Sequence, residues 1–302
     1  MPRQKPPKRP DGSYSNAWRH VSKIILRPGI RMMMRLDWHG QEHIPADGAT
    51  ILAANHLSYM DIFAVSLFAD SARRYPVFLA KSSLFTIPVV GTIITKLGQL
   101  PVYRGQADAA LVLREAEMVA RNGACVIFYP EATVTRDPDK WPMVSKTGVA
   151  RLALETGAPV VPIAHWGAER ILPYGSYVPR FLPRKTVKIL AGPPVDLSEF
   201  AGQPLTTPVL RAATEKIMKN VASLLGELRG EAPPAEPFHP AVARRKLRQD
   251  LRALRDSSSG SADIGTGTGT GTSSNGAGAT STGERSAADG TAGDSSTPGT
   301  AT

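Results

Sequence analysis

The chain has 302 residues, with 36 Lys and Arg against 26 Asp and Glu, a net charge of +10 and a single cysteine, Cys125. One cysteine excludes an intramolecular disulfide and any multi-cysteine metal site. The positive excess points to a negatively charged partner: phosphate, anionic lipid or nucleic acid.

Residues 1–13 are Pro-rich and basic, a composition that does not pack into a core. They contain no apolar h-region, so no signal peptide is expected. From Ala17 to Leu36, Ile24, Ile25, Leu26, Ile30, Met32, Met33, Met34 and Leu36 alternate with Arg19, Lys23, Arg27, Arg31 and Arg35. The last three arginines recur every four residues and predict one helical stripe, kinked or divided at Pro28. Residues 1–40 hold nine Lys and Arg against Asp11 and Asp37, a net of +7. Two readings stay open: a basic amphipathic helix lying on a membrane surface, or a solvated helix whose methionine side packs on the domain. His39-Gly40-Gln41-Glu42-His43 matches the zinc-peptidase pattern H-x-x-E-H, but that pattern needs a helix, which Gly40 and Pro45 oppose, and no metal is expected.

Thr50-Ile51-Leu52-Ala53-Ala54 predicts a buried strand, and Ile62–Ala69 a helix. Between them stands Asn55-His56-Leu57-Ser58-Tyr59-Met60-Asp61. A histidine at a strand end followed by a carboxylate is a candidate base with its orienter. Five residues apart, the two would lie roughly 140° apart around an ideal helix. They meet only if His56 lies in the turn and Asp61 in the first helical turn. Ser58 and Asp61 also match a capping box, a role compatible with the first.

Pro76–Ala80 predicts a second core strand, followed by Lys81. Ser82–Thr95 is a charge-free stretch of 14 residues containing Pro88 and Gly91, too short to span a bilayer and expected to be buried or interfacial. Gly98–Arg104 predicts a short strand ending in Arg104, whose planar fork suits phosphate oxygens. Gln106–Asn122 is amphipathic and closed by Gly123. Ala124–Tyr129 reads as a central parallel strand, with Cys125 as core filler. After Pro130-Glu131-Ala132-Thr133, Lys146-Thr147-Gly148 leads into a helix over Val149–Glu155. Ala158–His165 and Thr186–Ala191 predict strands, and Thr207–Leu228 a closing helix. This alternation predicts an α/β domain over residues 36–230, with a largely parallel sheet flanked by helices, preceded by a basic arm and helix at 1–35. Residues 231–302 comprise a Pro-rich linker, a basic segment over Arg244–Arg255 that suits a short surface helix, and a low-complexity tail from Ser257 expected to be disordered. Ligands bind beyond the carboxyl ends of strands in open α/β sheets. Parallel strands would therefore bring Asn55 and His56, Lys81, Arg104 and Glu131 to one edge.

Four blocks in order resemble the 1-acylglycerol-3-phosphate (lysophosphatidic acid) acyltransferases of the glycerolipid acyltransferase superfamily, over about Leu36 to Leu228. Asn55–Asp61 looks like the block N-H-x-x-x-x-D. Gly98–Arg104 resembles the arginine-ending second block. Tyr129–Thr133 resembles F-P-E-G-T, followed by the basic Lys146-x-Gly148. Val160-Val161-Pro162-Ile163 resembles the fourth block. Ala132 stands where that family has glycine, and Arg136 lies three residues past Thr133 rather than beside it.

The resemblance implies transfer of a fatty acyl group from acyl-CoA or acyl carrier protein, as co-substrate, to the sn-2 hydroxyl of lysophosphatidic acid. The product would be phosphatidic acid, and no metal or tightly held cofactor is required. His56 and Asp61 would be catalytic; Asn55, Lys81, Arg104, Glu131, Thr133 and Lys146 would bind substrate, with Glu131 ordering the basic cluster or a glycerol hydroxyl. The enzyme would sit peripherally or monotopically on the cytoplasmic face of the membrane, against an anionic surface, with no nucleic-acid partner. Alternatives are the same chemistry on another lysophospholipid or a glycolipid, and a non-catalytic membrane- or nucleic-acid-binding module.

Overall fold

The computed structural model describes residues 24–25, 27–102, 106–176 and 178–260. A first unit comprises Met1–Arg248 and a second Gln249–Thr302. Seven strands form one sheet in the order β1-β7-β6-β2-β5-β3-β4: β1 (Met34–His39), β2 (Thr50–Ala54), β3 (Pro76–Lys81), β4 (Leu100–Val102), β5 (Cys125–Phe128), β6 (Val160–Trp166) and β7 (Lys185–Ala191). From β6 through β4 all pairings are parallel. β7 runs antiparallel to β6, and β1 runs parallel to β7. The largely parallel sheet expected from the alternation is present, with a reversed pair at one side.

The helices are α1 (Arg27–Met33), α2 (Asp61–Ser71), α3 (Val90–Lys96), α4 (Gln106–Arg121), α5 (Gly148–Thr156), α6 (Thr207–Arg229) and α7 (Pro240–Gly260). Period-two alternation along β2 divides the core between the sheet's faces. Leu52 and Ala54 join Phe68 of α2 with Ile127 and Ile163. Ile51 and Ala53 join Val149 and Leu152 of α5 with Leu210, Ala213 and Ile217 of α6. All five β2 residues are buried, as expected for a strand covered on both sides.

Two expectations need correction. The helix read through Leu36 stops at Met33, and Met34–His39 is a strand whose side chains alternate in burial, Met34 inward and Arg35 outward. The four-residue stripe is thus broken: Arg27 pairs with Asp70, Arg31 lies 6.0 Å from the Trp38 ring, and Arg35 belongs to β1. Residues 17–23 and Leu26 lie outside the described residues. The disordered tail was expected from Ser257, yet α7 continues to Gly260; residues 261–302 lie outside the description. The linker after α6 is docked, because Val144 N–H donates to Phe238 O at 3.0 Å and Met143 bridges Phe238.

His39 ends β1, and Gly40 turns the chain with φ 87° into a short 3-10 turn at Gln41–His43, so H-x-x-E-H is not on one helix face. Cys125 is buried, and burial pushes its thiol up to about 12, which leaves it an inert core residue. The charge-free segment forms a 3-10 turn at Ser82–Leu84 and then α3, with Leu84, Ile87, Val89 and Val90 exposed.

Candidate active site

Beyond the carboxyl end of β2 the chain makes a tight turn into α2. Met60 N–H donates to Ser58 Oγ at 3.1 Å, and Asp61 N–H to Ser58 O at 3.1 Å. The Asp61 carboxylate accepts the Ser58 N–H at 2.8 Å, the returning half of a capping box, while the Ser58 hydroxyl takes the Met60 amide in place of that of Asp61. The same oxygen, Oδ2, accepts the Leu57 N–H at 2.6 Å and faces His56 Nδ1 at 2.9 Å. Capping and orienting are therefore performed by one atom, with His56 in the turn and Asp61 opening the helix. Asp61 is fully buried, and negative charge at a helix N-terminus is favourable.

This bonding sets the tautomer. Oδ2 receives two backbone donors and so acts as a carboxylate, which makes His56 Nδ1 the protonated nitrogen. Nε2 then carries the lone pair that a base needs. The ring is 16% exposed and stacks on Tyr129, with centroids 4.4 Å apart, while Tyr59 stands edge-on at 6.4 Å. The Tyr129 hydroxyl is buried without a partner, and burial, reinforced by Asp61, raises its pKa well above the ordinary phenol value.

Glu131, from the turn after β5, holds two backbone amides. Oε1 accepts the His56 N–H and Oε2 the Met143 N–H, each at 2.9 Å. It is a clamp between two loops, with both carboxylate oxygens engaged by backbone N–H groups. Burial pushes its pKa up to about 8 against the pull of those donors. Asn55, expected to bind substrate, is fully buried: Nδ2 donates to His165 O at 3.1 Å and Oδ1 accepts His165 N–H at 2.9 Å, tying the ends of β2 and β6 together.

Lys81, the last residue of β3, is exposed, with no ion pair among the described residues. Lys146 is exposed and its N–H donates to Pro130 O at 2.8 Å, which keeps it beside the β5 turn. Thr133 is half-buried in that turn, and Ala132 is held at φ 58°. The left-handed region favours glycine, so backbone conformation accounts for a glycine in the resembled block. Arg104 lies outside the described residues.

His165 was not singled out from the sequence. It is fully buried at the end of β6; Nε2 donates to Asn55 O at 2.5 Å and lies 3.5 Å from Asp61 Oδ2, while Nδ1 is buried without a partner. A second imidazole thus backs the same carboxylate. The signal available was its place: a polar residue closing a buried parallel strand at the site's edge. Among the described residues, no cluster of three or more His, Cys, Asp or Glu could hold a metal ion, and no helix is long and apolar enough to cross a membrane. A cavity lined by Arg74, Tyr75 and Cys125 lies at the opposite edge, where strands begin; there Arg74 is already occupied by the carbonyls of Pro45, Gly48 and Gly123.

The family model Acyltransferase matches residues 35–166. A chloroplastic 1-acyl-sn-glycerol-3-phosphate acyltransferase of Brassica napus is 31% identical over 169 residues, 54% of this chain and 46% of that protein. One from Borreliella burgdorferi is 30% identical over 150 residues, 47% of this chain and 58% of its own. The chain spans about half the length of the curated relatives it matches. The crystal structure of the 1-acyl-sn-glycerophosphate acyltransferase PlsC from Thermotoga maritima matches with TM-score 0.52 and 29% identity, covering 68% of this chain and 79% of that one.

Proposed function

We propose that this chain, which the family model Acyltransferase matches over residues 35–166, transfers a fatty acyl group from a thioester to the sn-2 hydroxyl of lysophosphatidic acid, giving phosphatidic acid. The observation that carries this reading is the His56 Nδ1–Asp61 Oδ2 bond at 2.9 Å, which leaves Nε2 as the base. His56 Nε2 takes the proton of the acceptor hydroxyl as its oxygen attacks the thioester carbonyl. The tetrahedral intermediate collapses, the C–S bond breaks, and the thiolate receives the proton from the imidazolium. Asp61 stabilises that imidazolium, as a buried Asp does in a hydrolase triad. Neither a metal nor a bound cofactor is called on; acyl-CoA or acyl carrier protein is a co-substrate.

Lys81 follows the end of β3 and Lys146 is held beside the β5 turn that also carries Thr133; these residues would take the acceptor's phosphate, a role the second block's resemblance assigns to Arg104 as well. The relatives' names support a glycerolipid acceptor. The enzyme would work peripherally on the cytoplasmic face of the membrane, where its acceptor resides.

The test is acceptor-dependent thiol release from long-chain acyl-CoA with lysophosphatidic acid in mixed micelles. His56→Ala should lower the rate by roughly 10²–10⁴-fold while remaining folded. An unchanged rate in the folded variant would place the base elsewhere. Release only with another lysolipid would keep the chemistry and change the acceptor.

A further inference from the structure

α7 (Pro240–Gly260) lies beyond the residues matched by the family model. It carries Arg244, Arg245, Lys246, Arg248, Arg252 and Arg255 against Asp250 and Asp256, a net of +4. Leu247, Leu251 and Leu254 are spaced i, i+4, i+7 and are exposed at 58%, 56% and 65%. At 100° per residue the three leucines occupy an arc of about 60°, and the five arginines fill roughly the next 100° on one flank. An apolar stripe bordered by Arg244, Arg248 and Arg252, in which Leu247 and Leu251 are more than half exposed, suits a partner that is both apolar and negative.

We propose that α7 is a membrane-surface helix that lies on an anionic leaflet, its leucines entering the headgroup–acyl boundary while Arg244, Arg248 and Arg252 pair with lipid phosphates. A nucleic acid would satisfy the charge but not the leucines, and the helix has no aromatic residue to stack on bases. A second copy of the helix would satisfy the leucines poorly: they fill less than two heptads, and Arg244 occupies the heptad position of Leu251 one repeat earlier. The inference goes beyond the catalytic reading and stands without it.

The experiment is co-sedimentation of the full chain with vesicles of phosphatidylcholine alone or mixed with phosphatidylglycerol, at low and high salt. Two triple variants are compared: Arg244→Gln/Arg248→Gln/Arg252→Gln and Leu247→Gln/Leu251→Gln/Leu254→Gln. Glutamine keeps helix propensity in both, which circular dichroism checks. Wild type should prefer the anionic vesicles. The arginine variant should bind them about a hundredfold more weakly at low salt, since each basic residue near such a surface strengthens binding about fivefold. The leucine variant should lose about tenfold or more.

Thiol release with a short-chain, water-dispersed lysophosphatidate should be the same in all three proteins, because none of these residues belongs to the catalytic site. That control separates failure of docking from failure of the acyl-transfer reading. Wild-type indifference to phosphatidylglycerol, or wild-type binding by either variant, overturns the proposal. So does a leucine variant that loses only a dimer by light scattering, or an arginine variant that loses only binding to duplex DNA.

Discussion

The turns after β2 and β5 differ in kind from the segment after β3, although all follow the same sheet edge. Around His56, buried side chains answer the backbone amides of the turns: Asp61 for Leu57 and Ser58, Glu131 for His56 and Met143, Asn55 for His165. After β3 the opposite holds. Lys81 is exposed, and Leu84, Ile87, Val89 and Val90 follow it into solvent. Proton transfer needs an imidazole held within fractions of an ångström, and saturating the turn with charge-assisted bonds supplies that rigidity. Capturing a lipid needs accessible cations beside apolar surface, which a fully bonded loop could not offer.

The sharpest break on the rigid side is Asp61→Asn. Oδ1 of Asp61 has no partner, so the amide nitrogen can occupy its place while the remaining oxygen keeps all three bonds made by Oδ2. The fold and the His56 tautomer survive, and only the negative charge is lost. A fall in kcat of about a hundredfold or more is expected, beside a stability loss of about 1–3 kcal/mol from the buried amide donor left without an acceptor, which a cap-only role would show without the fall in kcat. An active variant would show that the carboxylate serves mainly as a cap. On the open side, Lys81→Ala should raise KM for a phosphate-bearing acceptor about tenfold and leave kcat alone, matching loss of one charged hydrogen bond near solvent. Equal effects on acceptors with and without the phosphate would remove Lys81 from that role.

Glu131→Gln probes the clamp between the two loops. Both carboxylate oxygens accept N–H groups, so the amide must turn a donor against a donor, costing about 1–3 kcal/mol in denaturant titrations. The variant also carries a pH signature. Because burial lifts Glu131 from 4.5 to about 8, the folded chain holds a proton that the unfolded chain releases. Its contribution to stability is complete below about pH 4.5 and is lost as pH rises through about 8. The gap between wild type and variant should narrow across that window; a widening gap would reverse the sign assigned to burial. The smallest effect is Ala132→Gly, which relieves a residue at φ 58° and should raise stability by at most ~1 kcal/mol, measured by the thermal midpoint.

How much of this was legible from the residues follows from contact range. His56 and Asp61 are five apart, so strand, turn and cap signals sufficed to bring them together. Glu131 is located by its block, but its bonding is not legible there, because its partners are backbone N–H groups 75 and 12 residues away, which no pattern displays. The same holds for Asn55, whose bonding partner His165 lies 110 residues on. The strand β1 was hidden under an arginine spacing of four, although Met34-Arg35-Leu36-Asp37-Trp38-His39 alternates with period two.

The Glu131 clamp also reaches further than the site. Phe238 is bonded to Val144 and bridged to Met143, the Met143 amide is held by Glu131, and the other oxygen of Glu131 holds the amide of His56. A protease that clipped the chain just after α6 would thus cut one end of a four-link tether whose other end is the base. Turnover should soften before the core strands loosen, and the segment that follows the last core helix becomes part of the machinery although it touches no substrate.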